Sequence, residues 1–129
     1  MKLIDLLNEV KSELVPTKTG QFVFHKSNPI FRDQIAKSGL IPKGKSETWL
    51  SDTKIPGKVI FVTDSPNEKD WFDSTYDDDV YKIDTSKLNN VFYFDPNFSW
   101  KNGSRHMITY EPIPASAIEL IHKGTGESY

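Results

Sequence analysis

The stretch "FVFHKSNPIFRDQIAKSGLIPKG", residues 22–44, decides how this chain is read. Gln21–His25 is dominated by Phe and Val, residue types that fit a half-buried pleated surface, so it reads as a strand. Ser27 or Asn28 then supplies a helix N-cap, with Pro29 at the first helical position. Gly39 closes that helix, and Ile30, Phe31 and Ile35 form its expected buried side. Gly39-Leu40-Ile41-Pro42 follows at once. An imidazole and a hydroxyl, His25 and Ser27, therefore stand at the mouth of a strand with a helix start directly behind them.

Reading outward, Leu3, Ile4, Leu6, Leu7, Val10 and Leu14 recur at helical spacing, so residues 2–13 form an amphipathic helix ended before Pro16. The segment 41–57 is loop-like. "KVIFVT", residues 58–63, is a buried strand. Ser65-Pro66-Asn67-Glu68 then has the pattern of a capping box and starts a short helix carrying Trp71 and Phe72. "DSTYDDD", residues 73–79, reads as a solvated acidic loop. Four more strands follow in "VYKID" (80–84), "NVFYFD" (90–95), "RHMITYEPI" (105–113) and Ile118–His122. One helix, a strand, a helix and then mostly strands predict an α+β fold with a strand-rich sheet, not alternating βαβ units.

At 129 residues the chain fits a single domain, 1–129, with an N-terminal helical segment at 1–15 and a core at 20–122. With no cysteine, disulfides, thiolate nucleophiles and Cys-based zinc sites are excluded. Asp5 and Glu9 interrupt the apolar N-terminus, which argues against a secretion signal, and no run approaches a membrane span. A cytoplasmic protein with no membrane partner is expected. Residues 1–60 carry ten Lys/Arg against six Asp/Glu, while residues 64–84 carry two against eight. Only the first half suits a phosphate-bearing partner.

No Gly-rich phosphate loop of the ordinary doubly wound kind is present. The acidic loop lacks the glycine a calcium loop needs at its sharp turn, and His25, His106 and His122 have no i, i+4 pairing to build a metal site. No metal is expected. The aromatic run Phe92-Tyr93-Phe94 has no flanking Lys or Arg, so it reads as core packing and not as a base-stacking platform.

The order of His25-Lys26-Ser27, Gly39-Leu40-Ile41-Pro42, Val59–Ser65, Val80–Asp84 and Tyr110-Glu111-Pro112-Ile113-Pro114 resembles that of a small ADP-ribosyltransferase-like domain, over about residues 20 to 122. The family includes the diphtheria-toxin, poly-ADP-ribose-polymerase and RNA 2′-phosphotransferase branches. The resemblance implies a split, mostly antiparallel sheet whose cleft grips NAD, the substrate, and a transferase that cleaves the nicotinamide–ribose bond. ADP-ribose then passes to an unknown acceptor, a protein or a nucleic acid. It implies that His25 and Ser27 hold ribose, that Tyr76 or Trp71 lines the nicotinamide pocket, and that Glu111 is the catalytic carboxylate. Arg32, Thr63 and His106 complete the expected cofactor-binding set, with Lys26, Lys43 and Lys45 as further cations.

The chemistry supports those residue types. Breaking the glycosidic bond builds positive charge on the sugar, which a nearby carboxylate stabilises. A neutral His or a Ser orients ribose by hydrogen bonding.

One departure stands out. Arg105-His106-Met107 occupies the place where many relatives carry their Glu. Strand alternation puts His106, Ile108 and Tyr110 on one face and Met107, Thr109 and Glu111 on the other. The alternative reading is a catalytically inactive relative, a small phage or mobile-element effector that binds a nucleotide or protein in the same cleft. The transferase reading requires His25 and the segment through Glu111 to border a common hollow, whereas a Glu111 facing solvent away from His25 favours the binder.

Overall fold

The computed structural model describes residues 14–43, 57–64, 76–95, 100–101 and 104–128. The expected N-terminal helix, the capped helix with Trp71, and residues 73–75 of the acidic loop lie outside the described residues. The strands are β1 (Pro16–Thr17), β2 (Phe22–Ser27), β3 (Ile60–Thr63), β4 (Asp79–Asp84), β5 (Phe92–Phe94), β6 (Trp100–Lys101), β7 (Ser104–Thr109) and β8 (Ile118–His122). With one short α-helix, α1 (Arg32–Ser38), and three 3-10 turns among the described residues, they make an α+β fold. All strand pairings are antiparallel, in the order β1-β5-β7-β3-β2-β4-β8, with β6 paired to the start of β7.

Apolar residues cover both faces of the sheet, which is why its strands read as near-continuous hydrophobic runs. On one face Val23, Val62, Ile83 and Met107 pack with Ile35 of α1, Leu40 and Ile113. On the other, Val59 and Ile108 pack with Leu14, backed by Phe61, Tyr93 and Tyr110. Each fully buried aliphatic side chain of this kind stabilises the fold by about 1.5–3 kcal/mol.

The segment around α1 follows the punctuation of the sequence with two corrections. Strand β2 runs to Ser27, two residues beyond the expected end, and Asn28 is the cap: its Oδ1 accepts from the Ile30 amide at 3.0 Å. Pro29–Phe31 is a 3-10 turn that leads into α1. That tighter turn, about three residues per turn, rotates Ile30 and Phe31 off the stripe that buries Ile35. Ile30 is accordingly 79% exposed and Phe31 40%.

Gly39 ends α1 at φ 74°, ψ −163°, a combination open essentially only to glycine. A Cβ there would lie 2.1 Å from the Ile113 carbonyl oxygen. That close approach lets Leu40 and Ile113 exchange two backbone hydrogen bonds, each 2.9 Å, and fixes the path of residues 40–43.

The acidic loop departs most from its expected character. Asp79 belongs to β4 and is fully buried. Arg32 donates to it twice, Nε to Oδ2 at 2.8 Å and Nη2 to Oδ1 at 2.6 Å, and the Gly124 amide adds a third bond at 2.8 Å. Burial pushes the Asp79 carboxyl up, but these bonds and the Arg32 charge outweigh it and hold it below its ordinary value. Asp77 ties down the following segment through His122 Nε2 at 2.8 Å and the Thr125 amide at 3.0 Å.

Candidate functional site

Strand β2 pairs with β4 along all six of its residues, but with β3 at a single position, Phe24↔Thr63. Beyond that point the two strands diverge, and the opening carries His25 and Ser27 on one wall and Val59, Ile60 and Phe61 on the other. Ile35 and Gln34 of α1 and the chain leaving Gly39 complete a cleft of about 190 Å³. Strand alternation puts His25 and Ser27 on the same sheet face as Val23, the face α1 covers.

The imidazole bridges the opening. His25 Nδ1 lies 2.6 Å from the Phe61 carbonyl oxygen. A carbonyl only accepts, so Nδ1 carries the proton and the neutral ring leaves Nε2 as an acceptor. Burial lowers the pKa of His25, an effect larger than the opposing pull of the Phe61 bond. The ring is therefore neutral at pH 7. Its Nε2 has no protein partner among the described residues, so a ligand hydroxyl or N–H fits there.

The remaining lining is mainly apolar, with Ser27, Gln34 and Lys43 as its other polar side chains among the described residues. The Lys43 ammonium sits 4.6 Å from the centre of the Phe31 ring and 3.5 Å from Gln34 Oε1. At about 190 Å³ the cleft falls below the range of about 300–1,000 Å³ that encloses a drug-sized ligand. It holds one ring-sized group, not a whole dinucleotide.

Among the described residues, the other expected site residues are not brought to this cleft, Lys43 excepted. Thr63 and His106 face each other across β3 and β7, on the sheet face opposite His25. Thr63 Oγ1 is buried there with no hydrogen-bond partner among the described residues. The Arg32 guanidinium is held by Asp79 and by the Gly124 carbonyl oxygen at 3.0 Å. Tyr76 is 54% exposed, its backbone bridging Ser128. Trp71 and Lys45 lie outside the described residues.

Glu111 is not a strand residue, because β7 ends at Thr109 and the chain bends at Tyr110 ahead of Pro112. It is exposed and lines a separate hollow with Tyr93 and Tyr110. His25 and Glu111 thus border different cavities. Among the described residues, no carboxylate lines the His25 cleft.

Two lining residues were not expected at a site: Phe31, which the sequence places on the buried side of the helix, and Gln34. Their signal is indirect: Gly39 at positive φ turns the chain back, so Phe31, at the end of the 3-10 turn, and Gln34, early in α1, face Lys43. Comparison with family models, with curated proteins and with solved structures returns no match for this chain.

Proposed function

We propose that this chain is an ADP-ribosyltransferase-like domain that binds the ribose end of NAD or a related nucleotide in the His25 cleft, without cleaving the nicotinamide–ribose bond. The observation that carries the reading is the His25 Nδ1 to Phe61 carbonyl hydrogen bond. It fixes the tautomer whose Nε2 accepts a sugar hydroxyl, and Ser27 on the same wall offers a second polar contact. The apolar floor suits the body of a sugar or a flat ring. Lys43 at the lining supplies positive charge for a phosphate leading outward.

The binding-only part rests on charge. An oxocarbenium-like transition state needs an anion placed beside the breaking bond, where it is worth far more than in water. The described lining offers none, and Glu111 borders another hollow. The cleft is therefore built to hold a sugar rather than to stabilise a sugar cation.

Calorimetric titration with NAD and with ADP-ribose, run beside an assay of nicotinamide release, tests this reading. It expects both ligands to bind, binding to be lost in His25→Ala, and nicotinamide to stay at the buffer background. Absence of binding by either ligand overturns the assignment. Nicotinamide release above background overturns the binding-only part.

A further inference from the structure

Of these two hollows, both lined by described residues, the one that takes Glu111 is the larger. It measures about 540 Å³, inside the range of small-molecule sites, and lies between residues 87–91 and the chain leaving β7. Tyr93 and Tyr110 form one wall, their rings meeting edge to face at 6.1 Å and 75°. Val91, 51% exposed, and Pro112 add apolar surface.

The wall is tied in place. Asn90 Nδ2 donates to Thr109 Oγ1 at 3.1 Å and to the Glu111 carbonyl oxygen at 3.0 Å, so the loop and the β7 exit are held together without a ligand. The hollow is preformed in the sense that favours binding, since little ordering remains to be done.

Its charges are unequal in availability. Lys87 lines the hollow, but its ammonium lies 3.3 Å from the Ser116 carbonyl oxygen. The Glu111 carboxylate is exposed and makes no ion pair with any described residue. Aromatic faces carry the negative part of the ring quadrupole and attract cations. Glu111 and the two tyrosines therefore favour a positive, flat group, while Lys87 keeps its charge and turns its ammonium to the Ser116 carbonyl.

We propose that this hollow is a second binding site, distinct from the His25 cleft, for a small ligand that joins a flat apolar body to an amidinium or guanidinium group. Glu111 accepts hydrogen bonds from the cation in a fork-on-fork geometry, and Tyr93 and Tyr110 pack against the body. The proposal does not rest on the nucleotide reading of the cleft.

Benzamidine, with benzamide and benzoate as its neutral and anionic counterparts, probes the site by amide chemical-shift titration of the full chain. Benzamidine should shift amides of residues 87–93, 110 and 111 and bind about tenfold tighter than benzamide, with benzoate weakest. Glu111→Gln should shrink that preference to less than about twofold. The exposed position of Glu111 leaves the fold intact in that variant, which the unchanged remainder of the spectrum verifies. Equal affinity for benzamidine and benzamide, shifts confined to residues 25–43, no shifts at all, or a preference that survives Glu111→Gln would each overturn the proposal.

Discussion

Replacing Gly39 by Ala tests the packing that roofs the cleft. The new methyl group would have to occupy a φ of 74° with ψ at −163°, a strain of about 1–3 kcal/mol for a residue with a Cβ. It would also sit 2.1 Å from the Ile113 oxygen and 2.8 Å from the Ala115 nitrogen, both backbone atoms that no side-chain rotation can clear. Moving them breaks the paired Leu40–Ile113 hydrogen bonds, worth about 0.5–1.5 kcal/mol each. The expected loss is therefore about 2–6 kcal/mol, a large share of the roughly 5–15 kcal/mol that holds a domain together. In urea, with a slope of about 1–3 kcal/mol per molar, the midpoint should fall by about 2 M. Gly20→Ala is the control, because a Cβ there meets nothing within 4 Å and Gly20 is not among the positive-φ glycines. It should change stability by less than about 0.5 kcal/mol. If Gly39→Ala unfolds within 0.3 M of the wild type (~0.5 kcal/mol at a mid-range slope), the account of the turn fails.

Three further outcomes follow from the same contacts. His25 is held neutral in the folded protein while an unfolded His takes up a proton near its ordinary value of 6.5. The unfolded state therefore binds more protons as pH falls below 6.5, and stability should decline from there towards the lowered folded value; His25→Gln should flatten that decline in urea melts taken between pH 7 and 5. Asp77 is pulled from 3.8 to about 2, first by its His122 bond, so its stabilisation is complete above about pH 4 and lost as pH falls towards 2; Asp77→Asn should remove that acid limb in a melt series. Asp79→Asn should lower the urea midpoint and raise hydrogen exchange at the Gly124 amide, because the buried Arg32 contact and the amide's acceptor weaken together; unchanged exchange would contradict the clasp.

The parts of the fold set by local chemistry were legible in the residues. Asn28-Pro29 and Gly39 bracket the helical segment as capping and turn chemistry require, and β8 spans the expected Ile118–His122. Alternation along β7 separates Met107, in the α1-side core, from Ile108 on the opposite face, as expected. Ile30 and Phe31 misled because an apolar pair at a helix start is read with the α-helical period, whereas a 3-10 turn follows Asn28. Asp79 misled because an acidic run looks solvated until its partner Arg32, 47 positions away, is known.

The site was less legible for the same reason. His25 could be singled out from its place at the end of an apolar strand. Its Phe61 partner, 36 positions on, could not. The alternating neighbours of Glu111 read as a strand, but Pro112 has no amide to donate and the chain leaves the sheet after Thr109. One step of backbone direction moved that carboxylate from the expected cleft to a different hollow.

The central claim is that His25 offers Nε2, not a proton, to a ligand in its cleft. Long-range nitrogen–proton correlation spectra of the histidine rings, recorded at pH 7 with and without saturating ADP-ribose, read this directly. A neutral ring protonated at Nδ1 is expected in both spectra, with the Nε2 resonance moving when ADP-ribose is added. A ring protonated at Nε2, or an Nε2 resonance indifferent to ADP-ribose, would contradict that claim.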